Sequence, residues 1–164
     1  AQAIGKLPAE VLGTLAEVPE LEAYDVVTLF HVLEHIHSLR KTVKKIASHL
    51  KSNGYLVIAV PNPESADAKH YGKDWAGYDV PRHLYHFSEK SMTIFQSKFG
   101  MELVRIEPLT YDSYYVSLLS EGYKNPNSGL FSRYLNAFLQ GYKSNQKAGK
   151  PGQYSSNIFI FKKK

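Results

Sequence analysis

The alternation of apolar and polar positions between residues 24 and 62 predicts a complete strand, helix, strand unit. Residues 26–30 and 55–60 form apolar runs, as expected of parallel strands covered on both faces. Between them Leu39, Val43, Ile46, Ala47 and Leu50 recur at helical spacing, while Arg40, Lys41, Lys44, Lys45 and Lys51 fall opposite. This predicts one amphipathic crossover helix. Ser38 is expected to cap its start, and Asn53-Gly54 to supply a left-handed stop before the second strand. The two strands are expected to lie side by side, joined by a right-handed crossover.

Residues 9–15 read as a short strand, followed by a loop through Pro19. Residues 63–87 form a polar-aromatic connection containing Pro63, Gly72, Gly77 and Pro81. That is too long for a plain loop and predicts an active-site cover. Ser88 is expected to cap a helix carrying Met92, Phe95 and Phe99 on its apolar side, with Gly100 at its end. Residues 101–107 read as a strand that Pro108 closes, and residues 157–162 as another. Between these strands, two helical patterns at residues 114–123 and 130–139 predict an insertion spanning about 109–155. The chain has no repeats and no low-complexity tract.

With 164 residues and 43% hydrophobic content, a single domain with a real core is expected. The absence of cysteine excludes disulfides and thiolate metal sites, and allows the cytoplasmic location expected here. No apolar run approaches the length of a membrane span, and no signal segment opens the chain. The net charge of +5 is unevenly spread: residues 1–36 carry six acids and one base, or −5, which leaves +10 for the remainder. Much of that excess lies on one helix face and at Lys162 to Lys164, so it reads as solvated surface and argues weakly for a nucleic-acid partner.

In open parallel sheets ligands collect beyond the carboxyl ends of the strands. His31, Glu34, His35 and His37 follow the first strand and Asn62 the second. Histidine suits proton transfer near neutral pH. His31 and His35 are four apart with Glu34 between, but the order differs from the helical H-E-x-x-H of metalloproteases, so no metal is expected. Glu34 either meets unpaired N–H groups at a helix start or touches ligand. His83 and His86 either hold the 63–87 connection by bonding backbone or contact substrate. Trp75 and Tyr78 either fill a small core or stack on a flat substrate. Tyr114, Tyr115, Phe131, Tyr134 and Phe138 recur at helical spacing, which reads as packing.

The run FHVLEHI, preceded by YDVVTL and followed by a helix and GYLVIAVPN, resembles the second half of a class I S-adenosylmethionine-dependent methyltransferase. The segment KDWAGYDVPRHLYHFSEKSM narrows this to the broad methyltransferase group with a W, D, P, R, H, H, F, S series, here Trp75, Asp79, Pro81, Arg82, His83, His86, Phe87 and Ser88. The resemblance covers roughly residues 9 to 107, and YSSNIFIFKKK fits the family's last strand. It implies a Rossmann-like α/β sheet, mostly parallel, with an antiparallel last strand between its neighbours.

The resemblance also implies S-adenosylmethionine as cofactor, with His31 beside its methionine end. Where the family often has an acid contacting adenine, the chain reads Leu12-Gly13-Thr14-Leu15, so a hydroxyl from Thr14 and backbone from Leu15 are the expected contacts. His35, His83 and His86 are the implied catalytic residues, and Glu34, Asn62, Trp75, Tyr78 and Arg82 the implied substrate contacts.

The family's glycine-rich loop and ribose-binding acid have no counterpart: Gly5 and Gly13 form no G-x-G, and the chain begins at Ala1. The expectation is therefore a fragment that enters the family fold just before its third strand. Such a fragment would bind S-adenosylmethionine weakly or not at all, be inactive alone, and either self-associate through the exposed sheet edge or cover it with a displaced N-terminal segment. The implied activity is methyl transfer to a small-molecule or biosynthetic-intermediate acceptor, with no membrane partner. A non-catalytic binding or assembly module and an RNA-binding or RNA-modifying protein are the alternatives.

Overall fold

The computed structural model describes residues 24–164. The strand expected at residues 9–15, with Thr14 and Leu15, lies outside the described residues. Among the described residues four strands form one sheet: β1 (Tyr24–Phe30), β2 (Leu50–Pro61), β3 (Met101–Pro108) and β4 (Ser156–Lys163), in the order β1-β2-β4-β3. β1 and β2 are parallel, with Val26 opposite Tyr55 and Phe30 opposite Ala59. β4 inserts antiparallel between β2 and β3, as the sequence predicts. Because β1, β2 and β3 all run the same way, their carboxyl ends meet at one edge of the molecule.

Helix α1 (Leu39–His49) connects β1 to β2 and buries Leu39, Val43 and Ile46. These join Leu56, Ile58, Met92, Phe159 and Phe161 in the main core. Full burial of side chains of this size contributes about 1.5–3 kcal/mol each. α1 departs from expectation at both ends. Ser38 stands at the N-cap position, and its carbonyl accepts from the Thr42 amide at 3.0 Å, but its hydroxyl caps nothing. The helix stops at His49 and the chain extends from Leu50, so Asn53 (φ 68°) and Gly54 form an irregularity inside β2 rather than a helix stop. Gly54 is required there because a Cβ would lie 2.9 Å from the Lys51 carbonyl and 3.1 Å from that of Asp25.

β1 is less covered than its apolar composition predicts, with Val26 51% and Phe30 50% exposed. Among the described residues it pairs with β2 alone. Residues 63–87 fold into α2 (Ala66–Tyr71) and two short 3-10 turns, Gly72–Asp74 and Ala76–Tyr78. α3 (Glu89–Ser97) starts at a capping box made by Ser88 and Ser91. The predicted insertion is a pair of helices, α4 (Asp112–Lys124) and α5 (Leu130–Ala148). A second small core of Ala68, Tyr71, Trp75 and Val116 joins this pair to the 63–87 segment. Among the described residues no helix is long and apolar enough to cross a membrane.

Candidate active site

The chain leaves β1 through His31, whose amide donates to the Ala59 carbonyl at 2.9 Å and whose φ is 51°. Left-handed backbone at a non-glycine residue is strained and collects at functional sites. It turns the chain sharply into a 3-10 turn, Leu33–His35, that buries Glu34. His31 Nδ1 lies 3.5 Å from Glu34 Oε1, and its Nε2 lies 3.1 Å from Asp112 Oδ2 at the start of α4. The contact with Asp112, then that with Glu34, raises the imidazole pKa to about 9, against the opposing pull of burial. His31 is therefore a cation at neutral pH, held between two carboxylates.

The 63–87 segment brings in His83. Asp79, at φ 35°, accepts from the amides of Arg82 and His83, closing a tight turn around the cis Val80–Pro81 bond. His83 Nδ1 then donates to the Gly77 carbonyl at 2.9 Å, which leaves Nε2 facing Glu34 Oε1 at 3.9 Å. His35 packs edge-on against His83, with ring centroids 4.6 Å apart, and its Nδ1 meets the Arg82 carbonyl at 3.1 Å. A cleft of about 300 Å³ opens beside these groups, lined by His31, Arg82, His83, Asp112, Tyr115 and Tyr123 among others.

The remaining predicted site residues lie apart from this cleft. Asn62 is 2% exposed; its amide donates to the Gly152 and Tyr154 carbonyls, and its Oδ1 accepts from the Glu64 amide, so it anchors the loop before β4. Trp75 is 2% exposed, and its indole donates to Asp67 at 2.8 Å. Tyr78 packs edge-on against Trp75, and its carbonyl meets His86 Nε2 at 3.1 Å. His86 itself lines a larger open groove of about 810 Å³ between α1 and α3, with His37, Tyr85 and Phe95. Two acids escaped the sequence reading. Asp112 sits in an insertion distant from His31 along the chain, and no local pattern marks it. Asp67 accepts from Trp75, Ser144 and Ser155 and has no sequence signature beyond its place in the first turn of α2.

A family model described as a methyltransferase domain matches residues 8–106, more than half of the sequence. The chain belongs to this methyltransferase family. Among solved structures the methyltransferase is similar to a SAM-dependent methyltransferase from Thermotoga maritima, at 16% identity and TM-score 0.56, covering 93% of this chain and 62% of that one. It is also similar to a SAM-dependent methyltransferase from Archaeoglobus fulgidus, at 23% identity and TM-score 0.51, covering 91% and 63%. The cyclase SpnF shares the fold at 16% identity and TM-score 0.53, with 91% and 53% covered. The chain thus spans about three fifths of the length of such structures. No curated protein matches the sequence.

Proposed function

We propose that this methyltransferase uses S-adenosylmethionine to methylate a small molecule or biosynthetic intermediate, held in the cleft at the carboxyl ends of β1 and β2. The observation that carries the reading is the pairing of a fixed cation, His31, with Asp112 and Glu34 at the mouth of the strand that the family uses for the methionine end of its cofactor. An imidazolium and a carboxylate side by side fit the two charges of an amino-acid group. Thr14 and Leu15 are the proposed adenine contacts.

The cofactor, when bound, supplies an electrophilic methyl on a sulfonium. This chain's residues do the rest: they align an acceptor, exclude water and accept its proton. His83, with Nδ1 committed to a carbonyl and Nε2 open, and His35 beside it, are the proposed acceptor-side groups. Arg82 orients an acidic or polar acceptor. His86, Trp75, Tyr78 and Asn62 support the walls. The cleft is small and, among the described residues, has Arg82 as its single Lys or Arg side chain, which favours a small acceptor over a nucleic acid, whose binding rests on many phosphate contacts.

The test is transfer of labelled methyl from S-adenosylmethionine by the protein isolated from its source, incubated with small-molecule, protein and RNA fractions of the same cells. Label in the small-molecule fraction that falls at least tenfold for Asp112→Asn is the expected result. Label confined to RNA or protein overturns the acceptor assignment, and no label in any fraction overturns the catalytic reading.

A further inference from the structure

The Glu34 carboxylate is 1% exposed, and among the described residues neither of its oxygens has a hydrogen-bond partner. The His31 imidazolium, 3.5 Å from Oε1, offsets part of the cost of burying this carboxylate and leaves the rest to be compensated. Donor atoms from Glu34, His35 and His83 lie within 4.8 Å of one another. Each imidazole donates its Nδ1 hydrogen to a backbone carbonyl, Arg82 for His35 and Gly77 for His83. A ring that gives its Nδ1–H to a carbonyl keeps its lone pair on Nε2, and this outer contact is the one that orients metal-ligating histidines.

The spacing points the same way. Glu34 Oε1 and His83 Nε2 are 3.9 Å apart, beyond a hydrogen bond. Two ligands of one tetrahedral ion, at bond lengths of about 2.0–2.2 Å, stand roughly 3.4 Å apart. The pair needs to close by about half an ångström to share an ion.

We infer that Glu34, His35 and His83 form a binding site for a divalent transition cation, of the zinc or cobalt class that two imidazoles and one carboxylate suit. The sequence order H-x-x-E-H argues against a helical metalloprotease site, and the structure agrees with that. The ligands instead come from a tight turn after β1 and from a distant loop. Three protein ligands leave a coordination position open, and His83 also lines the 300 Å³ cleft. Resting on the methyl-transfer reading, that position would take the acceptor's hydroxyl oxygen and lower its pKa; with the ion bound, His35 and His83 would act on the acceptor through it, and their Nε2 atoms would not themselves take the proton. The metal site itself stands independently of that reading.

The experiment is titration of the EDTA-treated protein with Zn²⁺ by calorimetry and with Co²⁺ by visible absorption, at pH 7.5. One equivalent binds, with cobalt absorption in the tetrahedral range. Glu34→Gln and His83→Ala each weaken binding on the order of tenfold or more, while His37→Ala leaves it unchanged. Circular dichroism checks folding; should the buried Glu34→Gln variant unfold, His35→Ala carries the same test. No uptake by the wild-type protein, or uptake that survives the His35 and His83 substitutions, overturns the proposal. Methyl transfer is read separately, so a protein that binds metal without transferring methyl refutes the activity and leaves the site intact.

Discussion

At the scale of single residues, two carboxylates set the behaviour of the molecule. Asp112 and Glu34 raise His31 to about 9, above the ordinary 6.5 of an imidazole. The folded state therefore holds this proton more tightly than the unfolded chain. The resulting stability is complete below pH 6.5 and is lost as pH rises from 6.5 through 9. Urea unfolding of the metal-free protein across that window is expected to show a decline that Asp112→Asn largely abolishes; an unchanged slope in that variant would show that the pair does not exist in solution. Asp67 has a structural role. It is 1% exposed and accepts from Trp75 Nε1 at 2.8 Å and from the Ser144 and Ser155 hydroxyls at 2.7 Å each. Asp67→Ala leaves three buried donors unpaired and is expected to cost on the order of 3 kcal/mol, measured as a lower urea midpoint followed by Trp75 fluorescence. The histidines after β1 could be singled out from the sequence because their type and place suffice. Asp112 and Asp67 could not, since each gains its meaning from partners far away along the chain.

At the scale of elements, the helix pair α4 and α5 offers a paired test on two glycines. A Cβ on Gly141 would stand 2.7 Å from Tyr114 Cδ1 and 2.9 Å from its Cα. Backbone cannot move aside as a side chain can, so the overpacking penalty of about 1–3 kcal/mol exceeds the gain of about 1 kcal/mol from replacing a helical glycine. A Cβ on Gly122 would meet only the Arg133 guanidinium, Nη1 at 3.6 Å and Cζ at 3.8 Å, ordinary contacts. Gly141→Ala is expected to lower the thermal midpoint and Gly122→Ala to hold or raise it; equal effects of the two would show that the helices do not pack as described. The period of apolar residues predicted β3, β4 and α3 within a few residues of their ends and the carboxyl end of β2, because each carries a strong stop; the start of β2 lies five residues earlier than the run at 55–60, at Leu50. It placed the α1 stop wrongly, since Asn53-Gly54 has the chemistry of a helix end but is used for a bulge. It also cut α5 short at residue 139, because Lys143, Lys147 and their polar neighbours mask the small buried Gly141, Ser144 and Ala148.

At the scale of the whole molecule, the sheet order assigns unequal protection. β2 and β4 are flanked on both sides, whereas among the described residues β1 and β3 each have one partner. Amide exchange is expected to be slowest in β2 and β4 and at least tenfold faster in the amides of β3 that face away from β4; uniform protection across the sheet would contradict this order. Sequence patterning showed that the last strand is antiparallel and central only through the family resemblance, because an alternating strand carries no mark of its neighbours. That position has a consequence in time. Tyr55 pairs with Lys162 and Pro61 with Ser156, contacts that span roughly a hundred residues and therefore form late, after a large loop-closure cost. While the protein is being synthesised, β1, α1 and β2 leave the ribosome long before the strand that bridges them to β3. Until β4 emerges the nascent chain holds half a sheet with an open β2 edge, so the emergence of β4, rather than of any earlier element, is the event that completes the sheet.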